Sequence, residues 1–246
     1  LDLKTAVVSS SFSFNGNNIQ RRAIVSKPDN VFAAEIRADQ SQSLHFDAYV
    51  TCAINHSVKS GCDSVLITGR CPADIDYYAK EKKAIKYFYD DEKDTIPFAG
   101  MLKIISDGTV NASGGVLSVS NASYALILVS IQTGYSAWCK SPSKEGKDYL
   151  TLCKNDIDRA ADYTFDELLS RHLNDYQPLY DRCKIQLGEA DARPTNELLE
   201  AAASDEFPQS LAALMFHFSR YLLLACSREG TQPSNLQGIW NREIMP

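Results

Sequence analysis

The sequence predicts a chain of mixed class, an antiparallel β-sandwich followed by α-helices. Three observations predict it. Up to about residue 133, apolar residues alternate at period two in short runs separated by turn residues. From residue 141 the apolar spacing changes to the three-and-four repeat of helices. The longest helical run, 208–227, is apolar nearly all round, as a helix is when a larger helical body buries it.

The first strands follow from alternation. Phe12 and Phe14 share a face, and Asn15-Gly16 supplies a hairpin turn because both residues tolerate φ > 0. Ile19, Ala23 and Val25 resume the pattern, with Arg21 interrupting the same face. After a Lys-Pro-Asp-Asn turn at 27–30, Phe32, Ala34 and Ile36 alternate with Ala33, Glu35 and Arg37. A turn at 39–43 leads to Leu44, Phe46, Ala48 and Val50, alternating with His45, Asp47 and Tyr49. Four such strands joined by short turns predict a meander, with Phe12, Phe14, Phe32, Ile36, Leu44 and Phe46 facing the core. Further strands are expected at 64–69, 98–105, 116–119 and 124–131, and the polar stretch 72–94 reads as an excursion or short helix between strands. Many short strands at regular spacing point to a sandwich.

Helices are expected next. A Ser/Pro/Lys/Gly loop at 141–147 precedes a helix over 148–161. Thr164 and Glu167 have the spacing of a capping box, and Phe165, Leu168, Leu169, Leu173, Tyr176 and Tyr180 follow helical spacing to a stop near Asp181. Cys183, Ile185 and Leu187 alternate, which predicts a short returning strand. Pro194 opens a helix to about residue 200, and Pro208 opens the long one, which Gly230 stops. The expected division is a β-sandwich domain over 1–140, a helical linker with a short strand over 141–193, and a helical segment over 194–246.

Composition narrows the function. The 246 residues are 44% apolar, 10% aromatic and 23% charged, which excludes a disordered, collagen-like or coiled-coil chain. The net charge is −6, and no Lys/Arg cluster resembles a phosphate footprint, so nucleic acid is not an expected partner. The most apolar stretch, 211–226, is broken by His217, Ser219 and Arg220, so no membrane span is expected. The seven cysteines, an odd and scattered set without C-x-x-C, read as free thiols, although Cys62 and Cys71 flank an expected strand and can pair. Sequons begin at Asn55, Asn111 and Asn121 and matter on a secretory route. Leu1 already lies inside an alternating pattern, so the sequence is expected to start within a longer protein.

Glycoside hydrolysis needs two carboxyl groups facing one cleft. The densest sets, Asp74 with Asp76 and Asp90-Asp91-Glu92, read as solvated loop charges with no Trp nearby. His45, His56, His172 and His217 are spread over separate elements, so no metal site is expected. No G-x-S-x-G, P-loop or G-x-G-x-x-G occurs. The run at 227–241, S-R-E-G-T-Q-P-S-N-L-Q-G-I-W-N, is different. Its Asn and Gln side chains both donate and accept, which suits sugar hydroxyls, and its Trp offers a face for a pyranose ring. The same amides can instead satisfy the backbone of a helix-to-helix loop. Asn235, Gln237, Trp240 and Asn241 are the candidate substrate-binding residues.

This run resembles the start of the helical barrel of glycoside hydrolase family 95, the α-L-fucosidases. Residues 165–188, FDELLSRHLNDYQPLYDRCKIQLG, are similar to that family's linker, ELLxRHLxDYxxLFDRVxLxLG. Leu1-Asp2-Leu3, Thr5-Ala6, the strand with Arg21-Arg22, Pro97-Phe98-Ala99 and Gly114-Gly115 resemble its first domain. The resemblance implies an N-terminal β supersandwich, a helical linker and the first helices of an (α/α)₆ barrel that stops short. It implies an inverting hydrolase acting on terminal α-L-fucosyl linkages of fucosylated glycans, with water and no cofactor. The family pattern continues into W-x-S-D-Y-H-T-N-I-N, whose two asparagines act with the attacking water, activated by a distant Asp. A Glu further on is the general acid. No residue of this chain matches those positions, so no catalytic residue is expected within it, and the chain alone is expected to be inactive. Rival readings are a related α-L-galactosidase, and a non-catalytic carbohydrate-binding or structural sandwich. The apolar helix at 208–227 argues against a free-standing sandwich, and it makes self-association through 208–227 an expectation.

Overall fold

The computed structural model describes residues 1–75, 87–189, 191–204 and 207–236. Antiparallel sheets are followed by helices, and the chain divides into two compact units, 8–172 and 1–7 with 173–246.

The larger unit begins with β1 (Val8–Phe14), β2 (Asn17–Ser26) and β3 (Val31–Ala38), paired in sequence. The Asn15-Gly16 turn between the first two has φ of 51° and 75°, the left-handed values that the dipeptide predicted. The meander stops there. β4 (Leu44–Tyr49) leaves for a second sheet, because the free side of β3 is taken by the last strand. In chain order follow β5 (His56–Ser60), β6 (Ser64–Arg70), β7 (Asp74–Ile75), β8 (Tyr87–Phe88), β9 (Pro97–Ser106), β10 (Thr109–Ser113), β11 (Val116–Ala122) and β12 (Tyr124–Thr133). Seven strands form a sheet in the order β1-β2-β3-β12-β9-β6-β5, and three form β10-β11-β4. The polar stretch at 72–94 carries the small β7-β8 ribbon, and the short helix considered there falls largely on residues outside those described.

The two larger sheets face each other over one core. Val65, Ile67, Phe98, Leu102, Ile104 and Ala125 come from the large sheet, and Leu44, Leu117, Val119 and Ala122 from the small one. Ile36 and Phe46 pack against this cluster as expected, and Leu44 lies within it. Phe12, Phe14 and Phe32 do not. They share the inward face by register, but they are 40%, 63% and 39% exposed. A three-stranded sheet is too narrow to cover β1 and β2, so alternation gave the correct face and the wrong burial. The guanidinium of Arg21 instead lies over the Phe12 ring, 4.8 Å from its centroid.

The other face of the large sheet is covered by α1 (Tyr149–Ala161). Asp148 caps it, its Oδ1 accepting from the Thr151 N–H at 3.1 Å. Cys153, Asp156, Ile157 and Ala160, spaced three, one and three residues apart, form the buried stripe against Leu126, Leu128 and Ser130 of β12. Asp156 is polar and 4% exposed, yet satisfied. Its Oδ2 accepts from Gln132 Nε2 at 2.6 Å, Asn30 Nδ2 at 2.7 Å and Ser130 Oγ at 3.1 Å, and Arg159 Nη2 donates to Oδ1 at 2.6 Å. This carboxylate fastens helix to sheet. A second fastening joins Arg171 Nε to Asp29 Oδ1 at 2.7 Å, with Ser26 donating to the other oxygen at 2.6 Å.

All seven cysteines are free, so the optional Cys62–Cys71 pairing is not made. Asn55, Asn111 and Asn121 are exposed. Among the described residues, no helix is long and apolar enough to cross a membrane.

Candidate functional site

The candidate loop lies in the smaller unit, so its supports are built first. α2 (Phe165–Tyr180) starts on the expected capping box, with Glu167 Oε2 accepting from the Thr164 N–H at 2.7 Å and Thr164 Oγ1 from the Glu167 N–H at 3.3 Å. The Thr164 N–H and the Thr164 hydroxyl, the latter at 2.8 Å, both donate to the Glu167 carboxylate and hold its pKa below the usual range. The second half of α2 belongs to the smaller unit, together with α3 (Thr195–Ala203) and α4 (Gln209–Cys226).

The orphan carbonyls at the end of α2 are satisfied by α4. Arg220 Nη1 donates to the carbonyls of Tyr180 at 2.9 Å and Cys183 at 2.6 Å, and Nη2 to that of Leu179 at 3.3 Å. The same guanidinium stands 5.2 Å from the centroid of the Tyr180 ring. His217 Nε2 donates to the Ile185 carbonyl at 2.9 Å. These contacts correct the expected strand at 183–187. The segment has no regular secondary structure, the carbonyls of Cys183 and Ile185 are taken by side chains of α4, and no ladder partner appears among the described residues. His217 and Arg220, which interrupt an apolar run in the sequence, are therefore the residues that tie α4 to α2. An Arg set into an apolar helix face was the available signal.

Tyr176 and Tyr180 stack with centroids 5.6 Å apart, and Tyr176 Oη donates to the Leu3 carbonyl at 2.7 Å. Burial pushes both phenols above their ordinary pKa. At the end of α4 the Ser227 N–H bonds to the Leu223 carbonyl at 2.9 Å. Arg228 Nη2 pairs with Asp175 Oδ2 in a partly buried ion pair. The loop then turns on Thr231, whose Oγ1 accepts from the Arg228 N–H at 3.0 Å and donates to the Arg228 carbonyl at 2.7 Å. Gly230 occupies φ 78°, which allows this tight return. Helix and salt bridge thus fix where the loop leaves.

Asn235 lies at the end of the described loop and is exposed. Gln237, Trp240 and Asn241 fall outside the described residues. Two of the other carboxylates named from sequence bond to nearby backbone amides. Asp90 Oδ1 accepts from the Glu92 N–H at 3.0 Å, and Asp74 Oδ1 from the Ile75 N–H at 2.8 Å. Asp74, Asp90, Asp91 and Glu92 border an open depression of about 670 Å³ with Phe88 and Tyr89. Asp76 lies outside the described residues. No cluster of three His, Cys, Asp or Glu groups able to hold a metal ion occurs among those described.

Comparison with known proteins places this arrangement. Residues 1–138 match glycosyl hydrolase family 65, N-terminal domain, and residues 164–246 match the glycosyl hydrolase family 95 catalytic domain. "Alpha-L-fucosidase 2" of Arabidopsis thaliana is 34% identical over 263 residues, an alignment that takes in 100% of this chain and 31% of that protein. "Probable alpha-fucosidase A" of Aspergillus niger is 29% identical over 255 residues, covering 100% of this chain and 30% of its own length. The chain thus spans under a third of the curated relatives it matches. A solved structure from the human microbiome, assigned as a kojibiose phosphorylase, aligns with 92% of this chain and 26% of its own, at 10% identity and a TM-score of 0.47. With more than half its length matched by one family, the chain belongs to the glycosyl hydrolases through a family 65 N-terminal domain, followed by a segment of the family 95 catalytic-domain type.

Proposed function

We propose that this chain supplies the sandwich and linker of an inverting α-L-fucosidase-like hydrolase, which removes terminal α-L-fucosyl residues from glycans or oligosaccharides. The observation that carries the reading is the extent of the likeness. Both fucosidase relatives align with 100% of the chain, through sandwich, linker and the loop after α4, rather than over one common domain. In this reading 1–140 is a supersandwich domain, 141–193 the linker, and 194–246 the opening of an (α/α)₆ barrel in which α3 and α4 are the first hairpin. As barrel-entry residues, Asn235, Gln237, Trp240 and Asn241 are the candidates for binding substrate. The Asp175–Arg228 pair and the Thr231 turn, which anchor the start of the run leading toward them, support this reading. In this reading the general acid and the water-activating asparagines belong to later parts of the family pattern, and inverting hydrolysis needs both an acid and a base group.

An aryl α-L-fucoside assay tests this. The 246-residue chain should release no more product than a heat-killed control. A polypeptide extended through the S-D-Y-H-T-N-I-N region and on to the length of the relatives should turn over. Preference of the extended form for an aryl α-L-galactoside would move the substrate. Turnover by the short chain that disappears on replacing one of its own carboxylates would overturn the location of the active site.

A further inference from the structure

β1 is one edge of the seven-stranded sheet, and among the described residues nothing covers it. Its residues, Val-Ser-Ser-Ser-Phe-Ser-Phe, include no charge and no Pro, and all are exposed. Its register with β2 runs unbroken from Val8↔Ala23 to Phe14↔Asn17, so no bulge bends it away. Edge strands are usually blunted by Lys, Pro, bulges or shortness, because a bare edge templates another strand. The opposite edge, β5, is shorter and carries Lys59.

The hairpin fixes which backbone groups are on offer. In a two-residue hairpin with both turn residues at positive φ, the flanking residues form a hydrogen-bonded pair. Phe14 and Asn17 flank this turn, so Phe14, Phe12, Ser10 and Val8 direct N–H and C=O toward β2. Ser9, Ser11 and Ser13 direct theirs outward.

We propose that β1 pairs antiparallel with β1 of a second copy of this chain about a two-fold axis at Ser11, joining the two seven-stranded sheets. Ser11 then faces its own counterpart, and Ser9 faces Ser13 of the other copy. Each of these is a hydrogen-bonded pair that exchanges two N–H···O bonds. Between them Ser10 meets Phe12, and Val8 meets Phe14. Val8 and Phe14 are 49% and 63% exposed, and the pairing covers each with the other, on both sides of the axis. Self-pairing is favoured over a foreign strand by the sequence of the edge. An uncharged strand opposes no like charges when it meets itself, and its apolar residues meet apolar residues under two-fold symmetry, as an isologous contact requires. Arg21, the charge closest in register, is held over the Phe12 ring and donates to Ser10 Oγ at 3.1 Å.

Sedimentation velocity on the 246-residue chain tests the proposal. The wild type should show a concentration-dependent dimer. Ser11→Pro removes the outward N–H at the axis, and Pro is tolerated on an edge strand whose N–H faces away from the sheet, so the fold should persist by circular dichroism while the dimer is lost. Ser11→Lys and Ser11→Asp should each weaken the dimer, and an equimolar mixture should restore it, because opposite charges then meet across the axis. This mixture stays informative even if Ser11→Pro misfolds. A wild type that remains monomeric overturns the proposal. So does an oligomer that Ser11→Pro leaves unchanged in a folded chain, which would mean another surface or another strand is used. A mixture no tighter than its components overturns it as well.

Discussion

Arg22 and Glu35 face each other across β2 and β3, with Arg22 Nε and Nη2 donating to Glu35 Oε2 at 2.9 and 2.6 Å. Glu35 is 2% exposed, whereas the Arg22 side chain is 35% exposed. Arg37 Nη2 stands 2.8 Å from Glu35 Oε1, a charge contact without hydrogen-bond alignment. Arg22 also donates to Asp166 Oδ1 at 2.8 Å and lies over the Phe165 ring, so one guanidinium joins the sheet to the start of α2.

Breaking a fully buried pair typically costs about 3–5 kcal/mol. Arg22 is a third exposed and can be rehydrated, so Glu35→Ala should cost about 2–3 kcal/mol. Denaturant melts measure this. Asp166 is an exposed partner, and Asp166→Ala should cost under about 1 kcal/mol. A Glu35→Ala loss no larger than that of Asp166→Ala would mean that the buried carboxylate is not the anchor.

The two faces of the sandwich allow a sharper contrast. Leu117 is fully buried between the sheets, and Leu117→Ala should cost about 2–5 kcal/mol. Phe14 has an equally apolar side chain at an equally regular alternating position, yet Phe14→Ala should stay within about 0.5 kcal/mol of the wild type. Thermal melts of both variants, run dilute enough to keep the chain monomeric, decide it, and comparable losses would place Phe14 in the core.

That contrast marks what the sequence could and could not convey. Period-two alternation reports which residues share a face, and it did so correctly for Phe12, Phe14, Phe32 and Ile36. Whether a face is covered depends on the width of the opposing sheet, a long-range property that no local pattern encodes. Helix starts were legible because their signals are local, as Asp148, Thr164 with Glu167, Pro194 and Pro208 show. The crossing of β4 to the second sheet was not, since β12 takes its place beside β3 from some 90 residues further along the chain. At the candidate site, the amides and Trp240 stand out by composition. The supporting contacts of His217, Arg220 and Arg228 depend on carbonyls and a carboxylate that only the packed helices bring within reach.

Tyr176 gives the smaller unit a dependence on alkaline pH. Burial raises its phenol pKa first, and the neighbouring Tyr180 and Tyr221 add to the rise. The folded chain therefore ionises this group at higher pH than the unfolded chain, whose phenols titrate near about 10. The stability it contributes is fully present below that value and is lost as pH rises through the folded pKa. Denaturant melts should weaken above about pH 10, with delayed appearance of phenolate absorbance in the folded chain. Tyr176→Phe should cost about 1 kcal/mol at neutral pH through the lost bond to the Leu3 carbonyl, and should flatten the alkaline decline. An unchanged decline would assign it to other groups, with Tyr180 the first alternative.

α4 carries the last prediction. Leu211 is its buried anchor, but Met215, Phe218 and Leu223 are 56%, 43% and 56% exposed. Fully burying one such side chain is worth about 1.5–3 kcal/mol, so this unit leaves a considerable driving force unused. In the 246-residue chain, residues 208–227 should therefore either associate with other molecules or exchange amide hydrogens readily. Light scattering and hydrogen exchange separate the two. Met215→Glu with Leu223→Lys puts charges on exposed positions, so it should suppress association through α4 while leaving intact the Arg220 contacts that hold the helix to α2. Because those positions are remote in sequence from β1, any dimer that Ser11→Pro abolishes should survive this double substitution. A wild-type chain with no association at α4 and strong amide protection over 208–227 would contradict both outcomes, and would show that Leu211 and the Arg220 cap suffice to hold the helix with its apolar face in water.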